Sequence, residues 1–319
     1  MMHVADLSEP PPLEDAGPPG VVVAVGDLDS AHAEYWLQRA SFTLTEHPSD
    51  DPRTVCVNSV PDVVADLKQR CRTWPVTAAT GDDVLRAVDV SAPAFSGVIT
   101  ESLAYSTLQS GAEFAAWLQR RGPRSVPGEA DPVLADRDAD TLRIRFNRPR
   151  RHNAFTTGAR AALLDALTVA RLDPTVTEVV LAGTGPSFCS GGDLDEFGTF
   201  SDPAAAHLAR TRHSPALALE ELRGRLGQRL RAEVHGQVLG SGLEMAAFCG
   251  RVSADPQTRM GLPELELGLI PGAGGTVSIT RRIGRWRTAY LFLTGALIDA
   301  RQALQWGLVD EVTADGPAG

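Results

Sequence analysis

The sequence predicts a mixed α/β protein of two domains. Short apolar segments alternate with longer segments whose apolar residues recur at the helical period, which is the pattern of α/β proteins. The chain has 319 residues, of which 43% are hydrophobic, so both domains have enough apolar material for a core. A stretch rich in Gly, Pro, Ser and charged residues at 122–132 interrupts the pattern and is predicted to be the linker between the domains.

The first part of the chain is predicted to be a small α/β domain behind a disordered leader. Residues 1–20 contain many prolines and acidic residues but little that a core would bury, so they are assigned to the leader. The domain covers residues 21–121, and the sequence indicates no function for it. Strands are predicted at 21–25, 41–45 and 54–57, and helices at 31–39, 61–71, 82–88 and 97–121.

Residues 133–319 are predicted to form the second domain. At 141–146 apolar residues alternate with polar ones, as in a strand with one buried face. A helix is predicted at 157–170, followed by a strand at 178–182 whose VVLA run indicates burial on both faces. This β-α-β order predicts parallel strands joined by a right-handed crossover.

Charge and cysteine content exclude several classes of function. The chain has 30 Lys and Arg against 40 Asp and Glu, a net charge of −10, which disfavours nucleic acid as a partner. No apolar run reaches the ~20 residues of a membrane helix, and the N-terminus lacks the features of a signal peptide, so no membrane association is predicted. Four widely spaced cysteines without a CxxC pair are typical of a reducing compartment and predict a cytoplasmic protein. No histidines or cysteines have metal-ligand spacing, so no metal site is predicted.

Two glycine-containing turns are predicted to bind a developing negative charge. The first, CSGGDL at 189–194, lets the backbone approach a ligand closely and leaves the N–H of Gly192 pointing outward. The second, LGSGLE at 239–244, places the N–H of Ser241 at the start of a predicted helix, where negative charge is stabilised. Two such donors are what an oxyanion hole requires.

Several motifs together resemble the crotonase superfamily, of which enoyl-CoA hydratase is the type member. The motifs are FNRPRRHNAF, SFCSGGDLDEF, HGQVLGSGLEMAAF, GLPELELGLIPGAGGT and LTGALIDARQALQWGLVDEV, in this order between about residues 131 and 313. The resemblance implies a CoA thioester substrate with no separate cofactor, and a homo-oligomer such as a trimer or hexamer. The predicted fold class is therefore α/β, with a crotonase-like ββα-superhelix core preceded by the small α/β domain.

The same resemblance assigns the chemistry to two glutamates and the two N–H groups. Glu244 and Glu264 match the two glutamates of the hydratases, and we expect Glu244 mainly to activate water and Glu264 to transfer the proton at Cα. Gly192 and Ser241 are expected to hold the thioester oxygen as it becomes an enolate. Adding water across a conjugated double bond needs one group to deprotonate water and another to handle the Cα proton, and two carboxyls meet that need.

The CoA moiety is expected near the first motif. Arg150 and Arg151 lie in the loop that meets the pantetheine and phosphates in the family, with arginine in the place of the common lysine. Ordinary turn packing explains Ser190 and Leu194 as well as ligand contact does. The remaining residues expected to line the substrate and CoA site flank the glycine turns, and the full set is Ser190, Gly191, Leu194 and Gly240.

The leading prediction is a hydratase-like lyase that adds water to an α,β-unsaturated acyl-CoA. The chain stops soon after the last motif, where family members usually continue with helices that cover the site, and the helix predicted at 97–121 is expected to pack in their place. Two alternatives stay open. One is a crotonase-fold isomerase or a cofactor-independent oxygenase of an acyl-CoA or arylacyl-CoA, and the other is an acyl-CoA-binding subunit without catalysis. The presence of both glutamates favours hydration.

Overall fold

The first part of the chain contains four parallel strands that neighbour one another in chain order. The structure, a computed structural model, describes residues 2–12, 20–125, 128, 130–200 and 202–313. The strands are β1 (His3–Asp6), β2 (Val22–Val25), β3 (Phe42–Thr45) and β4 (Thr54–Cys56).

The prediction that residues 1–20 form a disordered leader is wrong where β1 lies. This strand pairs in parallel with β2, and Leu7 just behind it is fully buried. The indole N–H of Trp36 donates a hydrogen bond to the carbonyl oxygen of Glu9 at 2.8 Å, which holds the turn after β1 in place. Four strand residues among prolines and acids are too short a pattern to be recognised from sequence. The predicted leader also includes residues 13–19, which lie outside the described residues.

Helices follow β2 and β4, whereas β3 leads directly to β4, and one predicted helix is in fact two. The stretch 97–121 was predicted to be a single helix, but Gly111 has a ψ of 162° and interrupts it. Chain direction therefore changes between two shorter helices. The helices of this part are α1 (Ala33–Arg39), α2 (Val60–Thr73), α3 (Pro75–Ala87), α4 (Ala94–Gln109) and α5 (Ala112–Arg121).

The second part contains a larger and a smaller sheet. The larger sheet consists of β5 (Val133–Asp138), β6 (Thr141–Phe146), β7 (Glu178–Gly183), β8 (Leu230–Val234), β10 (Arg251–Ala254) and β13 (Glu311–Val312). The smaller one consists of β9 (Gln237–Leu239), β11 (Arg259–Gly261) and β12 (Ile298–Asp299). The strand orders are β13-β10-β8-β7-β6-β5 and β12-β11-β9. β5, which the sequence did not predict, pairs with β6 antiparallel, and the other neighbours in the larger sheet are parallel.

The chain repeatedly places one strand in the larger sheet, the next in the smaller sheet, and then forms a helix. β8 and β9 lead into α9 (Ser241–Phe248), and β10 and β11 precede α10 (Gly275–Thr294). This repeat confirms the predicted ββα core. The other helices are α6 (Thr157–Leu172), α7 (Pro203–Arg212), α8 (Pro215–Leu226) and α11 (Ala300–Trp306). No helix in the described ranges is long and apolar enough to cross a membrane.

The two parts share one apolar core and do not pack as separate domains. Phe42 of the first sheet and Phe188 of the second part belong to the same continuous set of buried side chains. α10 packs against α2, α3 and α4. Gly81 of α3 lies so close to the Phe292 ring that an added Cβ would be 2.2 Å from its Cε1 atom. The predicted linker at 122–132 therefore connects two portions of one packed body.

Candidate active site

A cavity of about 450 Å³ lies where the two glycine turns face helices α4 and α7. It brings together the residues predicted to act in catalysis, Gly192, Ser241, Glu244 and Glu264. These residues are separated by up to 72 positions in the sequence, and the order of strands in the two sheets is what makes them neighbours. The predicted lining residues Ser190, Gly191, Leu194 and Gly240 are also found here.

Backbone hydrogen bonds hold the two glycine turns together. The N–H of Cys189 donates to the carbonyl of Gln237 at 3.2 Å, and the N–H of Leu239 donates to the carbonyl of Cys189 at 3.0 Å. The turns are therefore joined in parallel just before the two predicted donors. Neither the Gly192 N–H nor the Ser241 N–H donates a hydrogen bond to any residue that the structure describes. Both groups are available to an oxygen in the cavity.

Glu244 is a buried carboxyl held by the loop before α10. Its Oε2 accepts hydrogen bonds from the N–H groups of Ala273, at 2.7 Å, and Gly275, at 2.8 Å. Burial raises the pKa of Glu244 to about 7, and these two donors oppose that rise by stabilising the carboxylate. Glu244 is therefore placed to exist in both protonation states near neutral pH.

Glu264 has a different environment, beside the second glycine turn. Its Oε1 lies against Gly240, where an added Cβ would be only 2.5 Å away. Within the described part of the chain, its buried Oε2 has no hydrogen-bond partner. Burial raises the pKa of Glu264 well above its ordinary value, and the charge of Glu244 raises it further. Burial and the neighbouring charge of Glu244 thus both favour the protonated form of Glu264.

A third buried carboxyl, which the sequence analysis missed, lies beside this pair. Glu101 of α4 accepts the N–H of Gly274 at 2.7 Å, and both the N–H and the hydroxyl of Thr276, at 2.9 and 2.7 Å. Burial, and next the charge of Glu244, raise the pKa of Glu101 to about 8. The sequence did indicate that Glu101 could be buried, because it follows Val98 by three residues and so lies on the same, buried face of the helix.

The two arginines predicted to meet CoA do not line this cavity. Arg150 is exposed. Arg151 forms ion pairs with Asp193, at 2.8 Å, and Asp195, at 2.6 Å. The residues after Asp193 form turns, and its carboxylate pairs with Arg148 as well. Arg151 therefore stabilises the first glycine turn through these ion pairs.

Among the residues described, no three His, Cys, Asp or Glu side chains form a cluster able to hold a metal ion. The cysteines at 56, 71, 189 and 249 are all free thiols. What the site offers chemically is two unused N–H donors and carboxyls of unequal proton affinity around one cavity. This combination suits stabilisation of an oxyanion together with proton transfer.

The ββα fold and this cavity define an α/β enzyme. The chain belongs to the enoyl-CoA hydratase/isomerase family, whose sequence model matches residues 136–317. It is 34% identical to the 2,3-dehydroadipyl-CoA hydratase of Escherichia coli (strain K12) over 180 residues, which are 56% of this chain and 68% of that protein. Among solved structures, it resembles the enoyl-CoA hydratase of Thermoplasma volcanium GSS1, with 31% identity and a TM-score of 0.50 over 58% of this chain and 73% of that one. It also resembles DspI of Pseudomonas aeruginosa, with 29% identity and a TM-score of 0.52 over 61% of this chain and 78% of that one.

Proposed function

We propose that this enzyme adds water to the double bond of an α,β-unsaturated acyl-CoA. The observation that carries the proposal is the placement of Glu244 and Glu264, two buried carboxyls with unequal proton affinity, in the cavity that also holds the Gly192 and Ser241 N–H groups. Hydration needs a base, an acid and a site for the enolate oxygen at the same time.

The reaction begins with the thioester carbonyl oxygen between the two N–H groups. Glu244 acts as a carboxylate and takes a proton from water, whose oxygen forms a bond to Cβ while the double-bond electrons move to the thioester oxygen. The enolate then collapses as Glu264 donates its proton to Cα. Glu244 ends protonated and Glu264 ionised, and proton exchange with solvent restores the starting state.

The different hydrogen bonding of the two carboxyls supports this division of roles. Glu244 accepts two backbone N–H bonds, which favour its ionised form, whereas the buried Oε2 of Glu264 has no donor within the described residues. Glu244 therefore ionises before Glu264, and the pair titrates as one coupled unit. The backbone donors thus favour the carboxylate form of Glu244, and burial favours the protonated form of Glu264.

Incubation of the purified protein with unsaturated acyl-CoAs in deuterated water tests the proposal. We expect a hydrated product that carries one deuterium at Cα, detected by mass spectrometry. Deuterium exchange at Cα without hydration would leave the enolate site in place but would overturn hydration in favour of isomerase-type chemistry. Binding of acyl-CoA with neither product would indicate a non-catalytic subunit.

The remaining expectations about this enzyme belong with the proposal. The CoA moiety is proposed to lie along the first glycine turn, with its phosphates towards the exposed Arg150. CoA enters as part of the substrate, with no further cofactor. A homo-oligomer and a cytoplasmic location stay predictions, which size-exclusion chromatography with light scattering and cell fractionation test.

A further inference from the structure

Two arginines line the side of the cavity formed by α6 and α7, and neither is bonded to a carboxylate in the described part of the chain. The guanidinium of Arg160, on α6, forms no hydrogen bond and no ion pair with any residue in the described ranges. Arg210 of α7 contacts only neutral acceptors there: Ser102 Oγ at 3.1 Å from Nε, Gln109 Oε1 at 2.9 Å from Nη1, and Ser106 Oγ from Nη2. Two cations that no described carboxylate contacts directly therefore face one space.

Burial makes this arrangement of two cations costly. It lowers the pKa of the Arg160 and Arg210 guanidinium groups, which shows that both cations have lost part of their hydration. The charge of Glu196 offsets part of the cost at Arg160, but the Oε2 of Glu196 already accepts the N–H of Thr157 at 2.7 Å. An anionic ligand would supply the missing partner, because buried charges are stabilised by pairing.

The position of Tyr105 indicates which part of a ligand would reach the arginines. The Arg210 guanidinium lies 4.4 Å from the centre of the Tyr105 ring. The same ring contacts Gly272, where an added Cβ would be 2.5 Å from its Cε2, and Gly272 immediately precedes Ala273, which donates to Glu244. One aromatic ring thus separates Arg210 from the loop that holds the proposed base.

The cavity wall between the two ends is partly apolar. Phe155, Phe197 and Ala206 line it together with the arginines. Such a wall suits methylene groups, and the planar guanidinium of Arg160 suits a carboxylate, which it can bind through two parallel hydrogen bonds. Phosphates of CoA are the other available anions, but the proposal above places them outside the cavity towards Arg150.

We propose that the acyl group of the substrate ends in a carboxylate, which Arg160 binds with support from Arg210, so that the enzyme acts on dicarboxylic acyl-CoA thioesters. This inference rests on the proposed function in taking the ligand to be an acyl-CoA. It adds the chemical class of the acyl group and a site for its far end.

Calorimetric binding of saturated acyl-CoA pairs tests this inference without requiring hydration. The two ligands of each pair have the same acyl length and end in either a carboxylate or a methyl group. At the length that spans the cavity, we expect the carboxylate-ended ligand to bind about 10- to 100-fold more tightly, the usual gain from a charge-assisted contact. Equal or weaker binding of the carboxylate-ended ligand at every length overturns the inference.

A series of variants tests whether Arg160 is the residue that binds the terminal carboxylate of the acyl group. Arg160→Met keeps an apolar side chain but removes the charge, and we expect the carboxylate preference to fall to about threefold or less, while Arg160→Lys keeps part of it. Arg171→Met is the matched control, since Arg171 is exposed on the same helix and pairs with Glu221, and it is expected to keep the wild-type preference. Loss of affinity for free CoA in Arg160→Met, equal to the loss for the carboxylate-ended ligand, would instead assign this arginine to a CoA phosphate and overturn the inference.

The two proposals fail in different experiments. Absence of hydration with every unsaturated acyl-CoA contradicts the proposed function, whatever the binding preference is. Absence of a carboxylate preference in the calorimetric pairs contradicts this inference, even if hydration is observed with methyl-ended substrates.

Discussion

At the scale of single residues, the carboxyls of this site differ in the hydrogen bonds that they accept. Glu244 receives two backbone N–H groups through one oxygen, whereas Glu264 has an oxygen that is buried and without a donor in the described structure. Both have lost hydration, so the difference in hydrogen bonding decides which one ionises first. An acid and a base are thereby obtained from two identical side chains.

The glutamine variants of these two residues test their roles. Glu244→Gln and Glu264→Gln each remove one proton-transfer group while keeping the side-chain size, and we expect kcat for hydration to fall about 10²- to 10⁴-fold in each. Glu266→Gln is the matched control, because Glu266 lies two residues from Glu264, is exposed and pairs with Arg70 at 2.7 Å. Steady-state kinetics check this, and undiminished kcat in either active-site variant would remove that residue from the mechanism.

The pH dependence of stability tests the raised pKa values. An acid whose pKa is higher in the folded protein than in the unfolded chain binds more protons when folded, so the free energy of unfolding falls as pH rises from the unfolded pKa through the folded one. The pKa values of Glu244, about 7, and Glu101, about 8, place this fall between about pH 4.5 and 8, at up to about 1.4 kcal/mol per pH unit for each group.

Glu264→Gln is expected to make this fall shallower, because it removes one of the groups that take up a proton on folding. Denaturant unfolding of the wild-type protein and this variant at pH values of about 5.5 and 8.5 measures the difference. A wild-type protein that becomes more stable across this range would show that other groups dominate. An unchanged slope in the variant would show that Glu264 has an ordinary pKa.

At the scale of secondary-structure elements, one loop organises the site. The N–H groups of residues 273 to 276 alternate between two carboxylates, Glu244 and Glu101, which approach from α9 and α4. These groups open α10, whose N-terminus favours negative charge. The loop therefore couples a helix from the first part of the chain to the proposed base. The hydrogen bonds of Glu101 make it a positioning residue, since it acts on this loop.

Replacement of Glu101 tests this coupling. Glu101→Ala leaves the N–H groups of Gly274 and Thr276 without their acceptor, and we expect the free energy of unfolding to fall by about 2–4 kcal/mol. The loop would then hold Glu244 less well, so kcat is expected to fall about tenfold or more, with a smaller change in KM. Glu101→Gln, which keeps an acceptor, is expected to recover part of both losses.

The adjacent residue Thr100 supplies the control. It is exposed on α4, and its hydroxyl donates a hydrogen bond to the carbonyl of Ser96 within the same helix. Thr100→Ala is expected to change stability by about 0.5 kcal/mol or less and to leave the kinetics unaltered. Equal kcat for Glu101→Ala and Thr100→Ala would show that the loop keeps its geometry without Glu101.

At the scale of the whole molecule, the first sheet and its helices are part of the enzyme's core. α10 lies between the two parts, with Val277 against Gly97 of α4 and Phe292 against Gly81 of α3. Arg70 of α2 adds a hydrogen bond to the carbonyl of Leu293 at 2.8 Å. The active-site cavity is lined from both parts, so the packing that joins them also forms the site.

Calorimetric unfolding is expected to give one cooperative transition for the whole protein. A shared core cannot be exposed on one side without loss of packing on the other, so the two parts unfold together. The ratio of calorimetric to van't Hoff enthalpy should be close to one for the monomeric unit. Two separate transitions would show that the parts are independent domains, as the sequence analysis predicted from residues 122–132.

The sequence alone determined the ββα core and the four residues expected to act in catalysis. The two N–H donors follow from glycine turns that are recognisable over a few positions, whereas the ββα core and the two glutamates were implied by the resemblance of several local motifs to the crotonase superfamily. Tertiary structure decided what surrounds them. Glu101 lies 173 residues from Gly274, and β1 is recognised only through its pairing with β2. The ion pairs of Arg151, and the lack of a carboxylate bonded to Arg160 among the described residues, likewise depend on what folds next to them. Such contacts arise from the packing of segments that are distant in sequence, and they produce no periodic pattern of apolar residues in the local sequence.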